Sequence, residues 1–346
     1  MFRDVPQFTE FVVNVLSRRN NQTEVFAADL TVRVKGSATQ LSVKDVIDYA
    51  YSHNIRQLTM FWSTPRFFYV DLPPCIFSSH TLKHLTLRAS YANYHKTNVP
   101  KSAWDLPALE TLSLTSIAVG RDGDGAITDE SLNLFSKCVN LKDLTLHQCC
   151  IHNVEVFNIC CPQLLNLTIT YAYALPKVFN IVAPQLQNMT ASVLASIMYS
   201  SRPFNPLKLS TKGLGFLDKV NLTLSYHISG LKKNEAVLLN LFQALRSAKY
   251  LILDVDLIKA LGSDLNQLLH KPCPFKNLKC LKIINSPIAQ DYILTITPQL
   301  RNYFFENSPS ATLIIDLPQV SVSRGMLLFG TVTKEPSYKY RTIPAL

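Results

Sequence analysis

Residues 82–87 read LKHLTL and residues 109–114 read LETLSL. Both fit the frame L-x-x-L-x-L. With apolar substitutes the frame returns as IRQLTM from Ile55, LKDLTL from Leu141, LLNLTI from Leu164 and LQNMTA from Leu186. It continues as LDKVNL from Leu217, AKYLIL from Ala248 and LKCLKI from Leu278. From Ile55 onward, successive starts lie 27, 27, 32, 23, 22, 31, 31 and 30 residues apart. VFAADLTV, from Val25, reads as a related first strand.

On an extended chain alternate side chains point to opposite faces, so the last two leucines of each unit face one way together. The first leucine closes the turn that leads into the strand. A single unit cannot bury its own apolar face and must stack strand beside parallel strand on its neighbours. Each leucine so buried contributes roughly 1.5–3 kcal/mol. The pattern therefore predicts an α/β fold: a leucine-rich-repeat solenoid, with a curved parallel sheet and with helices and loops on the convex side. The uneven periods are absorbed by those outer segments.

The same reading divides the chain. Residues 1–24 form an N-terminal capping helix, because VPQFTEFVVNVLSRR places Phe8, Phe11, Val12, Val15 and Leu16 on one apolar stripe. Residues 25–290 form the solenoid, 291–330 a C-terminal capping segment and 331–346 a loose tail without a clear period. Ser42 followed by Asp45 opens a helix over VKDVIDYAYS in the manner of a capping box. NEAVLLNLFQALRS is a longer helix with Val237, Leu238, Leu241, Phe242 and Leu245 on its apolar face.

Composition narrows the class. Of 346 residues, 47% are hydrophobic and 17% charged, which is rich enough for a large core. The net charge is +10, yet the basic residues are scattered, the longest runs being Arg18-Arg19 and Lys232-Lys233. That footprint argues against nucleic acid as a partner. No apolar segment approaches the roughly 20 residues of a membrane span, and MFRDVPQFTEF lacks the layout of a signal peptide. The 8 cysteines then read as reduced thiols of a cytoplasmic or nuclear protein.

Two CC pairs, Cys149-Cys150 and Cys160-Cys161, stand near His147 and His152 and raise the question of a metal. Adjacent cysteines on extended chain point to opposite faces, which makes CC a poor chelating pair. Cys149 instead falls where a repeat turns inward at the strand's end. Cys138 and Cys161 each stand three residues before a repeat leucine, where Ala183 and Phe275 stand in other units. Small or apolar residues interchange there, so the cysteines are expected to be core, with no metal and no cofactor.

Enzyme motifs are missing: no G-x-S-x-G, H-E-x-x-H or G-x-x-x-x-G-K-[ST] occurs. GRDGDGAITDE, residues 120–130, departs from a calcium loop at Ala126 and Ile127 and reads as a polar turn. No catalytic residue is assigned. Binding is expected on the concave face, where the central positions Thr59, Thr86, Ser113, Thr145, Thr168 and Thr190 form a small polar ladder. Phe61, His84, Arg88, Asp143 and His147 flank it as candidate partner-binding residues. Phe61 also belongs to an aromatic cluster with Tyr51, Trp62, Phe67, Phe68 and Tyr69, which serves either the core or a partner.

With the repeats in register, a family resemblance emerges. DLPPCIFSSHTLKHLTL (71–87) resembles the L-P-x-x-I-F-x-S-x-T-L-x-x-L-x-L segment of plant F-box proteins with leucine-rich repeats, including the FBD class. DLPALETLSL (105–114), KCVNLKDLTLHQC and CCPQLLNLTI are similar to the strands that follow, with Val139 in place of the usual proline. FTEFVVNVLSRRN resembles the segment just after the F-box, and LRNYFFENSPSATLII the C-terminal FBD-like block, so that the resemblance to the repeats runs over about 8–285. It implies a non-catalytic scaffold, the substrate-recognition part of an SCF-type ubiquitin ligase, whose partner is a protein target of ubiquitination or another protein ligand. The family's F-box, which docks on the ligase adaptor, would precede the first residue here. The adaptor is thus a partner only if an F-box is supplied, and a competitor without ligase docking, or an unrelated leucine-rich-repeat binding module, is the alternative reading.

Overall fold

The x-L-x-L-x segments are strands in the computed structural model, and their leucines alternate as extended chain requires. The structure describes residues 10, 14, 15, 18, 24–33, 37–63, 70–90, 97–119, 129–151, 154–170, 176, 178–194, 209–211, 214–225, 235–262, 272–285, 296–316 and 341–343. Strands Ala27–Arg33, Gln57–Ser63, His84–Ala89, Thr111–Thr115, Asp143–His147 and Asn166–Thr170 are neighbours in that order, all parallel. Register is set leucine on leucine: Leu85, Leu112, Leu144 and Leu167 form one column, and Leu87, Leu114, Leu146 and Ile169 the next. Every one of these eight side chains is at most 3% exposed.

The turn before each strand repeats as well. Leu141 N–H donates to Cys138 O, Leu164 to Cys161, Leu186 to Ala183, Ala248 to Leu245 and Ala311 to Ser308, at 3.0–3.2 Å. Cys138, Cys161, Ala183 and Phe275 are all fully buried at that inward position. Cys149 and Cys150 differ from the expected alternation, because both are buried. Gln148 just before them has φ 53°, and Ser116 one strand away has φ 57°. These left-handed residues swing the chain under the sheet, at about 1–2 kcal/mol each. Cys150 then pairs with Ala118 in a short inner sheet.

The chain gathers into two compact units, Met1–Thr190 with Arg202–Phe216, and Ala191–Ser201 with Leu217–Leu346. In the first, the segments leading from one repeat strand to the next are largely strands themselves. Asp129–Leu132, Val154–Cys160, Val178–Val182 and Leu209–Thr211 form a second parallel sheet. The expectation of helices and loops on that side is corrected here, and the cause is length. Five residues of strand span about 17 Å, for which a helix needs about eleven, so repeats of 22 and 23 residues have room only for strand. Helices appear where the repeats are longer: Glu235–Ala244 and Val255–Gly262 lie in repeats of 31 and 30 residues.

Between strands and return segments runs a column of rings. Phe77, Trp104, Phe135, Phe157 and Phe179 stack in sequence with centroids 4.6, 5.6, 5.8 and 5.7 Å apart. Helix Ser37–Ser52 inserts Ile47 and Ala50, 0% and 3% exposed, and ends in a Schellman arrangement: Asn54 has φ 59° and Ile55 N–H donates to Ala50 O. It begins at Ser37 and not at Ser42, since no Gly or Pro separates the two and Ala38, Gln40 and Leu41 favour helix. The N-terminal capping helix lies mostly outside the described residues; of its stripe only Val15 is described, helical and 44% exposed.

The second unit repeats the scheme with Lys219–Ser225, Tyr250–Asp254, Cys280–Ile284 and Thr312–Asp316 in parallel, and Arg341–Ile343 antiparallel at the edge. Leu238, Leu241, Phe242 and Leu245 are buried as the periodicity predicts, and Phe242, Phe275 and Phe304 pack together at 5.5–6.4 Å. Helix Pro298–Phe305 follows, capped by the Thr297 hydroxyl. Asp254, 0% exposed, accepts from Leu224 N–H at 2.6 Å and from Leu257 N–H at 2.8 Å, tying a neighbouring strand to the start of helix Val255–Gly262. Burial pushes its carboxyl up to about 6 against those two hydrogen bonds.

Two outcomes follow from this packing. Leu144→Ala should cost about 2–5 kcal/mol in urea unfolding, whereas Thr145→Ala beside it on the opposite face should cost under about 1 kcal/mol; equal costs would contradict the facing. For Asp254, a folded value above the ordinary 3.8 means its contribution is fully present below pH 3.8 and is lost as pH rises through about 6. Asp254→Asn should flatten the urea midpoint between those pH values while lowering stability throughout by about 1–3 kcal/mol.

Candidate functional site

The strands of the first unit turn three columns of side chains away from the leucines. Register places Gln57, His84, Thr111, Asp143 and Asn166 in the first column and Thr59, Thr86, Ser113, Thr145 and Thr168 in the second. Phe61, Arg88, Thr115, His147 and Thr170 make the third. The middle column is entirely hydroxyl-bearing, because a small β-branched residue suits a half-buried pleated surface. Longer and more varied side chains stand on either side of it.

All five residues singled out from the sequence project from this one face, but they form two groups. Phe61, Arg88 and His147 lie in the third column, and His84 and Asp143 in the first. Four residues of strand separate those columns, about 13 Å. Within the third column the Arg88 guanidinium carbon lies 5.7 Å from the Phe61 ring centroid. His147 Nδ1 is 2.8 Å from Thr170 Oγ1, and burial together with the Arg88 charge lowers its pKa from 6.5. In the first column His84 Nδ1 is 2.8 Å from Thr111 Oγ1. Asn188 donates to Asn166 at 2.7 Å and Asn166 in turn to the Asp143 carboxylate, a one-directional amide ladder ending on a charge.

Thr111, Thr115, Asn166, Thr170 and Asn188 were not among the expected site residues. Their signal was present: each stands two or six residues after its repeat leucine, the same offsets as His84 and Arg88. The aromatic cluster around Phe61 divides. Trp62 is 1% exposed in the core, the Tyr51 hydroxyl donates to Ile76 O at 3.4 Å, and Phe61 alone of the described rings faces outward. Phe67, Phe68 and Tyr69 lie outside the described residues, as does most of the 120–130 turn.

Among the described residues no three His, Cys, Asp or Glu side chains converge as metal ligands would. Nor is any described helix long and apolar enough to cross a membrane. Burial pushes the thiols of Cys138, Cys149 and Cys161 up to about 12.

Comparison with known proteins adds a family direction. An F-box/LRR-repeat protein of Arabidopsis thaliana is 30% identical to this chain over 134 residues, 39% of this chain and 40% of that protein. The chain thus spans about two fifths of the length of the curated relative it matches. The match supports a distant relationship to F-box/LRR-repeat proteins and, with it, a role in protein–protein interaction. No protein-family model and no solved structure matches the chain.

The thiols give a direct check on the reading of the two CC pairs. At pH 8 a thiol with a value near 12 carries on the order of a thousandfold less thiolate than an ordinary cysteine. Disulfide-reagent labelling mapped by mass spectrometry should leave Cys138, Cys149 and Cys161 unreacted in the native chain and modify them in urea. Rapid native labelling would place them outside the core.

Proposed function

We propose that the repeats over 25–290 form a leucine-rich-repeat solenoid, capped by 1–24 and by 291–330, whose leucine-free concave face grips a protein partner without catalysing a reaction. The observation that carries this reading is the in-register grid. Strand after strand presents the same three outward positions, so the columns form a continuous surface long enough to meet an extended partner at many points. The central hydroxyls supply a flat hydrogen-bonding floor, and Phe61, His84, Arg88, Asp143 and His147 supply the side chains that discriminate. Phe61 with Arg88 stacked over it has the character of an interface anchor, an aromatic and an arginine being the residue types that dominate binding energy.

The distant F-box/LRR-repeat relative, together with the segments 71–87 and 105–114, favours a particular setting for that grip: recruitment of a target to an SCF-type ubiquitin ligase, in cytoplasm or nucleus. In that setting the target docks on the grid. The adaptor joins only through an F-box, which the described repeats do not supply themselves.

Affinity capture with the full chain, compared with Phe61→Ala/Arg88→Ala, tests the grip. Both positions lie on the outward face, so the urea midpoint should move by under about 1 kcal/mol. Specific partners identified by mass spectrometry should be depleted by about tenfold or more, as loss of an interface anchor of about 1.4 kcal/mol or more requires. Capture unchanged by the double variant would remove the grid from the binding reaction. Ligase subunits appearing among those partners would support the ubiquitination setting, and their absence from capture with an F-box fused to the chain would overturn it.

A further inference from the structure

The third column has the makings of a more specific site. Arg88, Thr115 and His147 occupy the last outward position on three adjacent strands, paired Arg88 to Thr115 to His147 in register. Parallel strands lie about 4.8 Å apart, so the backbones of Arg88 and His147 are roughly 10 Å apart with only a threonine between them. The flanking side chains lean away from that threonine. Arg88 lies over Phe61 on one side, and the His147 ring reaches Thr170 on the other. The ground above the half-buried Thr115 is left between a guanidinium and an imidazole.

The charges on the page make this row distinctive. Lys44, Lys83, Lys142 and Lys282 each have a carboxylate oxygen within 2.7–3.2 Å. Arg88 is exposed and makes no ion pair among the described residues. The acidic residue on His147's own strand, Asp143, stands at the opposite end and is engaged by Asn166. His84 is equally far along its strand, and no acidic side chain occupies the third column between Phe61 and Thr170. The Phe61 ring holds the Arg88 fork flat, so less side-chain freedom is lost when the fork meets a planar or tetrahedral anion.

We propose that this row is an anion seat: a carboxylate or phosphoryl group of the docked polypeptide rests over Thr115, bridged by Arg88 and His147. This rests on the docking reading above and names the chemistry that the partner must bring. Arg88 donates a pair of charge-assisted hydrogen bonds and Thr115 donates its hydroxyl. His147 joins as imidazolium once an anion offsets the burial and the Arg88 charge that otherwise keep its ring neutral near pH 7.

The experiment is a histidine-detected NMR titration of the full chain, with His147 assigned by its loss in His147→Gln. The pKa of His147 is read in chloride, in inorganic phosphate and in acetate at matched ionic strength. A saturable rise of about one unit is expected in at least one of the two test anions. A response to phosphate alone assigns the seat to a phosphoryl group, and a response to acetate assigns it to a carboxylate. Arg88→Gln should raise the starting value in chloride and abolish the anion response. No response to either anion, or a response that survives Arg88→Gln, overturns the proposal. The titration needs no partner: a silent titration beside Phe61- and Arg88-dependent capture sinks the seat alone, and an anion response beside unchanged capture sinks the docking reading alone.

Discussion

A strand with aliphatic side chains on one face and hydroxyls on the other is stable only when its neighbours repeat it in register. That constraint organises this protein. A slip of one residue between adjacent strands would turn every leucine to solvent and every threonine to the core. Leu85, Leu112, Leu144 and Leu167 therefore fix more than a hydrophobic column. By holding the leucines level they hold Thr86, Ser113, Thr145 and Thr168 level on the other side, and with them every residue that can meet a partner.

The strands were legible because L-x-x-L-x-L carries its own geometry: period two for the strand, and a buried turn residue three positions before the first leucine. What happens between strands was less legible, because it depends on residue counts and not on any motif. At 22 and 23 residues per repeat the chain returns as strand, and at 30 and 31 it accommodates a helix. The ring column was readable too, once the offset is known. Phe77 and Trp104 stand five residues before their repeat leucines, Phe135 six, and Phe157 and Phe179 seven. Those drifting offsets hide the column from any fixed-period reading, although the rings meet at nearly constant spacing.

For the candidate site, position was legible and partnership was not. Counting from the repeat leucine places Phe61, Arg88 and His147 on the correct face. It does not tell that the two histidines each reach a threonine on the next strand, or that Asp143 is claimed by Asn166. Those pairings come from rotamers and from which strand is next in space. The repeat lengths alone leave both undetermined, since 32 residues separate Leu109 from Leu141 although their strands are immediate neighbours.

The distribution of charge over the face follows from the same registration. In the first column the polar groups are consumed by one another: His84 by Thr111, Asn188 by Asn166, Asn166 by Asp143. Such a ladder stiffens the sheet and leaves its members little capacity for a partner, as each new contact must displace an existing bond. The third column is built differently. Arg88 is held by the face of a ring, which leaves all its N–H donors available, and its strand neighbour Thr115 is too short to quench it. A cation positioned by stacking and not by an ion pair keeps its full electrostatic reach. On a face otherwise made of hydroxyls and satisfied amides, that is where an incoming charge gains most.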